Sequence, residues 1–90
     1  MKLKGEYILR EIAGDAVLIP TGKSALEFNG IIALNPISAE IFKYLQEGCI
    51  KEQILENILE QYDVTREVAS ADLEEFLAQL AQAGILDLSE

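Results

Sequence analysis

The 90-residue sequence contains no histidine, and its only cysteine is Cys49. Histidine is the commonest general base and the commonest metal ligand in proteins, so a Cys–His or Ser–His nucleophilic pair cannot form within this chain. A single cysteine makes no internal disulfide and no thiolate zinc site without a partner. The sequence therefore predicts no catalytic residue, no metal site and no cofactor.

Basic residues and long apolar runs are also scarce. Seven Lys and Arg residues stand against 16 Asp and Glu residues, a net charge of −9, which argues against nucleic acid as a partner because affinity for it depends on neutralising phosphates. The longest apolar runs span four or five residues, whereas a membrane helix needs about 20. The N-terminus lacks the apolar region of a secretory signal. We expect a cytoplasmic protein with no membrane partner.

Carboxylates are the one abundant reactive group. Asp72, Glu74 and Glu75 are close in sequence, but they fall on or beside the polar side of an amphipathic helix, where a solvated face is the usual arrangement. The sequence contains neither a GxGxxG nor a GxxxxGK[ST] phosphate-binding pattern. Taken alone, the chemistry favours a binding module over an enzyme.

The first third of the sequence predicts strands at residues 7–12, 16–19 and 31–34, with turns at 13–15 and at Asn29-Gly30. No crossover helix separates these strands, so an antiparallel meander is expected. Residues 31–34 have no polar position, whereas a strand with one solvated face alternates apolar and polar residues. Both faces of that strand are therefore expected to be covered, by a helix of this chain or by a partner segment.

The remainder predicts three helices. Asn35 and Pro36 are suited to the start of the first helix, which Gly48 ends; a second helix spans the apolar stripe from Ile54 to Tyr62. Thr65 caps a third helix that closes at Gly84, before a short extended tail at 85–88. The prediction is one domain over residues 1–90, an α+β fold with an N-terminal three-stranded antiparallel sheet packed on three helices, similar to a winged helix-turn-helix.

A binding surface is predicted at the third strand and the third helix. Residues 31–34 carry no charge and no proline, so an extended peptide can add beside them unless the strand is central in the sheet. On a helical wheel, Phe76 lies at the edge of the core stripe of the third helix, flanked by Asp72 and Gln79. Val68 falls on the same flank, although it can instead pack on Val64 at the helix entry.

The ordered combination of short motifs resembles the PqqD-like family from about residue 7 to residue 86. The residues that carry the resemblance are LIP at 18–20, LEFNGIIALNP at 26–36, IFKYL at 41–45, Gly48, Ile54, QYDV at 61–64, DLEEFL at 72–77 and LAQAGIL at 80–86. One departure is the start of the second helix, which in the family usually has a Thr or Ser cap and here reads Cys49-Ile50-Lys51.

The resemblance implies a RiPP recognition element, a non-catalytic peptide chaperone. Such a domain binds the leader of a ribosomally synthesised precursor peptide as an added strand and presents it to a modifying enzyme, such as a radical SAM protein or another maturase. Carried over to this sequence, the peptide-binding residues are Ile31, Ile32, Ala33, Leu34, Asp72, Leu73, Phe76, Leu77 and Leu80. We expect Phe76→Ala to weaken leader binding more than folding, and the acidic chain to favour a leader that carries Lys or Arg.

Two other classes of function remain open from the sequence. A winged-helix DNA-binding or transcription-regulatory protein shares the fold, but it needs a basic recognition helix, which neither the second nor the third helix provides. A small enzyme subunit could complete a catalytic site with a partner's residues. An open strand edge also leaves room for a homodimer formed by pairing of two copies.

Overall fold

A computed structural model gives the fold, and it describes residues 2–23 and 32–88. The elements in chain order are β1 (Lys2–Leu3), β2 (Tyr7–Ile12), β3 (Asp15–Pro20), β4 (Ile32–Leu34), α1 (Pro36–Gln46), α2 (Lys51–Gln61), α3 (Arg66–Gln82) and β5 (Leu86–Asp87). Strands β2, β3 and β4 form an antiparallel meander in that order, and β1 pairs with β5 in a second antiparallel sheet. The predicted α+β fold, with a three-stranded antiparallel sheet and three helices, is confirmed.

The two terminal strands close the fold. The sequence predicts the extended tail that forms β5, but it gives no sign of β1, which is only two residues long. Leu3 lies opposite Leu86, and the Lys4 N–H donates to the Ile85 carbonyl at 2.7 Å. Because both strands are so short, their pairing depends on α3 delivering β5 to this position.

The helix boundaries follow from their caps. The Asn35 side chain accepts a hydrogen bond from the Ser38 N–H at 2.8 Å, and Thr65 Oγ1 accepts one from the Val68 N–H at 3.2 Å. Both caps are as the sequence predicts. At the start of α2 the capping residue is Ile50, which has no side-chain acceptor.

Glycines end α1 and α3 in the same way. Gly48 (φ 84°) and Gly84 (φ 79°) adopt the left-handed conformation that a helix end requires and that glycine adopts without strain. The next residue folds back on the last turn in each case: the Cys49 N–H donates to the Tyr44 carbonyl at 3.0 Å, and the Ile85 N–H donates to the Leu80 carbonyl at 2.9 Å. These turns set the direction in which the chain enters α2 and β5.

The core lies between the sheet and the helices, with α1 in contact with β3, β4, α2 and α3. Leu18 is the fully buried contribution of the sheet, and the three- and four-residue spacing of apolar positions brings one stripe of each helix to the same centre. The largest fully buried side chains are Phe42, Leu18, Ile41, Ile54, Ile58, Leu73, Leu80 and Ile85.

Burial alternates along β4, although its sequence does not. Ile32 and Leu34 are half-buried against the core, whereas Ala33 is exposed. No described segment of this chain buries Ala33, so cover of that face by a partner segment stays a prediction. Ile31, the first residue of the predicted strand, lies outside the described residues.

Candidate functional site

The first wall of the candidate site is the sheet edge at β4. In the described part of the chain, β4 pairs with β3 alone, so its opposite side has no strand neighbour. The two-residue turn at Ala13 and Gly14 joins the opposed residues Ile12 and Asp15. Both turn residues have positive φ, 53° and 86°, as in the tight hairpin turn whose flanking residues exchange hydrogen bonds.

This turn fixes which backbone groups of β3 face each neighbour. In an antiparallel pair, hydrogen-bonded and non-hydrogen-bonded positions alternate, so Asp15, Val17 and Ile19 bond toward β2. The Thr21 N–H donates to the Glu6 carbonyl at 2.9 Å, which continues the same alternation beyond Pro20. Pro20 itself, which has no N–H, falls at a non-bonded position. The even-numbered residues of β3 are thus free to bond to β4.

It follows that Ala33 presents its backbone to the open edge. Leu18 lies opposite Ile32 and Ala16 lies opposite Leu34, so these pairs carry the hydrogen bonds between β3 and β4. Ala33 lies opposite Val17 at a non-bonded position, and its N–H and C=O point away from β3. A strand that adds beside β4 would therefore form main-chain hydrogen bonds with the N–H and C=O of Ala33.

The second wall is one flank of α3. A cleft of about 120 Å³ lies where β4 ends, between the first turn of α1 and the middle of α3. Its apolar floor is formed by Phe76, which is only 4% exposed, and by the half-buried Ile37. The lining residues are Asn35, Ile37, Ser38, Asp72, Glu75, Phe76 and Gln79.

The structure divides the predicted site residues into two groups. Asp72 and Phe76 line the cleft, and β4 supplies Ile32, Ala33 and Leu34 at the neighbouring edge. Leu73 and Leu80 are buried in the core, and Leu77 lines a different groove on the far side of α3. None of these three leucines lines the cleft, so their part is to hold α3 in place.

Sequence reasoning missed four lining residues of the cleft. Asn35 and Ser38 are joined by the N-cap hydrogen bond, and this capping role does not predict that they also line a cleft. Ile37 belongs to the apolar stripe of α1, and the sequence predicts Glu75 on a solvated face. The wheel of α3 did place Gln79 beside Asp72 and Phe76. Val68, one turn before Asp72, is 50% exposed and extends this flank.

The cleft carries negative charge, and no Lys or Arg of the described residues lines it. Asp72 and Glu75 both line it, and neither forms an ion pair within the described residues. The cations nearest in sequence are engaged elsewhere: Arg66 pairs with Glu56 at 2.7 Å, and Lys51 pairs with Glu74. The cleft is therefore suited to a ligand that brings its own positive charge.

No group of three or more potential metal ligands comes together in residues 2–23 and 32–88. Within the same residues, no helix has the length and apolar character needed to cross a membrane.

The family model for coenzyme PQQ synthesis protein D (PqqD) matches residues 15–86, which include the cleft, β4 and all three helices. The chain belongs to the PqqD family. No curated protein gives a significant match. This assignment confirms the family that the sequence resembles.

Solved structures similar to this PqqD-family chain contain leader peptides. The structure of TbiB1 in complex with the TbiA(beta) leader peptide has a TM-score of 0.76 and 26% identity, over 98% of this chain and 96% of that one. Lasso peptide synthetase B1 complexed with the leader peptide has a TM-score of 0.72 and 20% identity, over 93% of each chain. The fold is accordingly that of the RiPP recognition elements.

Proposed function

We propose that this PqqD-family protein binds the leader segment of a ribosomally synthesised precursor peptide and presents it to a modifying enzyme. The observation that carries the proposal is the free backbone of Ala33 at the sheet edge, beside the acidic cleft between α1 and α3. A peptide added antiparallel or parallel to β4 gains main-chain hydrogen bonds there. Its alternate side chains then meet the cleft.

The cleft gives the peptide its specificity. A leader side chain that enters it meets the apolar floor at Phe76 and the carboxylates of Asp72 and Glu75. A leader with an apolar residue close to a Lys or Arg satisfies both features, and opposite charge also speeds association. The residues proposed to contact the peptide are Ile31, Ile32, Ala33, Leu34, Asp72 and Phe76. Leu73, Leu77 and Leu80, predicted from sequence as part of the same site, are proposed to support it by holding α3 in the core.

The protein would act as a partner of an enzyme and not as a catalyst. The sequence has no histidine, and its one cysteine has no second thiol beside it. The two similar solved structures are both complexes with leader peptides, which supports a role in binding the precursor. The enzyme that receives the precursor would be a radical SAM protein or another maturase.

DNA binding is the weaker candidate. A recognition helix needs unpaired basic side chains to contact phosphates. In α2 and α3 the basic residues are Lys51 and Arg66, and each is already joined to a glutamate. Exposed carboxylates on the same helices, such as Glu52 and Asp72, would repel the backbone of a duplex.

Titration of isotope-labelled protein with synthetic leader peptides tests the proposal. The peptides come from the precursor genes that neighbour the gene of this chain. We expect amide shifts at Ala33, Asn35 and Gln79, together with a saturable heat of binding in calorimetry. Scrambled peptides of the same composition serve as controls. Absence of specific binding, or shifts confined to another surface, contradicts the assignment.

A further inference from the structure

A second groove lies on the opposite flank of α3. At 100° per residue, Glu74 and Ala78 each lie about 160° around the helix from Phe76. They face the turn between α1 and α2, where Cys49 and Ile50 form the other wall, and Leu88 closes one end. The groove has a volume of about 460 Å³, within the range of pockets that accept ligand groups.

Two exposed apolar side chains border this groove. Ile50 is 58% exposed and Leu88 is 51% exposed, and both are among the few large hydrophobic residues that the described chain leaves in solvent. Single exposed apolar residues are ordinary, but here two lie at the rim of one concave surface whose lining also includes Leu77 and Ala78. Such a lining is typical of a protein-binding surface.

Ile50 also occupies a position where isoleucine does not help the fold. It is the N-cap of α2, at which Ser, Thr, Asn and Asp are preferred because their side chains accept a backbone N–H. The Gln53 side chain accepts a hydrogen bond from the Ile50 N–H at 3.0 Å, but the Ile50 side chain has no atom that can accept one from the first turn of α2. Ile50 therefore departs from the N-cap preference and is mostly exposed to solvent, which indicates a role outside folding.

The charges around the groove select the kind of partner. Lys51 and Glu74 neutralise each other across it, and Arg66 neutralises Glu56 nearby. Glu52, which lines a shallow groove that shares Cys49 with this one, has no ion-pair partner among the described residues. The lining itself is therefore neutral, whereas the unpaired charge beside it and the net charge of the chain are negative, so a basic segment is favoured. A second copy of this chain carries a net charge of −9 and is disfavoured.

We infer that this groove, lined by Cys49, Ile50, Glu74, Leu77, Ala78 and Leu88, docks a basic segment of the modifying enzyme through a large apolar side chain. The identity of the partner rests on the proposed function. Because the groove and the leader cleft lie on opposite flanks of α3, the protein holds the leader and the enzyme at the same time.

Ile50→Ser provides the sharpest test, because it removes the apolar side chain while supplying the missing cap. The probe is the purified peptide-modifying enzyme encoded beside the gene of this chain, and its affinity is measured by biolayer interferometry. We expect the affinity to fall about tenfold or more, because the enzyme would lose its contact with a large apolar side chain. We also expect the melting temperature to be unchanged or higher. Unchanged enzyme affinity overturns the inference.

A second pair of variants controls for position. Ala78→Arg places a bulky cation inside the groove, whereas Ala71→Arg makes the same change two turns away on the same exposed side of α3, outside the lining. The first variant should lose enzyme binding and the second should retain it. Equal effects of the two substitutions contradict a localised docking site, and so does an enzyme that fails to bind the unmodified protein.

Leader affinity, measured separately by fluorescence anisotropy with a labelled synthetic leader, keeps this inference distinct from the proposed function. Ile50→Ser and Ala78→Arg should leave it unchanged. If the protein binds the enzyme through the groove but binds no leader, the proposed function is contradicted and the docking site is not. Competition between leader and enzyme, or a change of oligomeric state in Ile50→Ser, shows that the groove serves another purpose and overturns the inference.

Discussion

Val17 of β3 and Ala33 of β4 face each other at a position in the sheet where the two residues exchange no hydrogen bonds. Val17 directs its backbone toward β2, and Ala33 directs its own toward the open edge. Among the described residues of β4, Ala33 alone therefore directs its backbone N–H and C=O toward the open edge. This relationship decides which substitutions interfere with peptide addition and which only disturb the sheet.

Ala33→Pro should abolish strand addition while leaving the sheet intact. Proline removes an N–H that β3 does not use, and edge strands tolerate it. Loss of one main-chain bond and the added bulk should lower leader affinity about tenfold or more in calorimetry. Ala33→Val retains the N–H and should bind normally. If Ala33→Pro melts like the parent and binds equally well, the leader does not pair at this position.

Hydrogen exchange provides an independent test of the same alternation. In the free protein the Ala33 amide should exchange faster than those of Ile32 and Leu34, which donate toward β3. Saturation with leader should slow Ala33 selectively, because its N–H then donates to the peptide. Protection of all three amides in the free protein would instead mean that the edge is already covered.

Most of the fold could be predicted from local patterns. The caps at Asn35 and Thr65, the glycines after α1 and α3 and the spacing of apolar residues act over a few positions, and each has one physical outcome. The strand β1 could not be predicted, because two residues carry no periodicity. The orientation of Ala33 was equally hidden in the sequence, since it depends on the ladder that begins at the Ala13-Gly14 turn.

The candidate site was less predictable than the fold. A helical wheel places Asp72, Phe76 and Gln79 on one flank of α3, but it does not show how far each side chain is covered by other elements. Leu73 and Leu80 share the apolar stripe with Phe76, and the packing of α1 and α2 buries them. Asn35 and Ser38 enter the cleft only because α1 begins where β4 ends.

Reversing the charge at Asp72 should change which leaders bind. Asp72→Lys should weaken binding of a leader that carries Lys or Arg about two- to fivefold, the size expected for an exposed ion pair. It should strengthen binding of the same leader with those residues changed to Glu. Glu60→Lys alters the net charge equally but lies on α2, outside the cleft lining. Both affinities can be measured by anisotropy at low and high salt, and equal effects of the two variants would exclude a local contact.

Phe76→Ala should act mainly on stability, contrary to the expectation from sequence. The side chain is 4% exposed and belongs to the core, and loss of a buried phenylalanine costs about 3–5 kcal/mol. Urea unfolding should therefore show a large loss of the free energy of unfolding. Val68→Ala, on the same flank but 50% exposed, should change that free energy by about 0.5 kcal/mol or less. A small loss of the free energy of unfolding in Phe76→Ala would mean that this side chain is not tightly packed in the core.

Ala13→Asn should stabilise the β2–β3 hairpin. Ala13 has a φ of 53°, and the left-handed conformation costs a residue with a Cβ roughly 1–2 kcal/mol, less for asparagine. Asn-Gly is also the preferred pair for this turn, so we expect the free energy of unfolding in urea to rise by about 1 kcal/mol.

Gly14→Ala is the matched variant that should destabilise the same turn. A Cβ there would meet nothing within 4 Å, but φ is 86°, so any loss is conformational and not steric. Because the same turn sets the ladder that points Ala33 outward, a destabilised hairpin should also weaken leader binding.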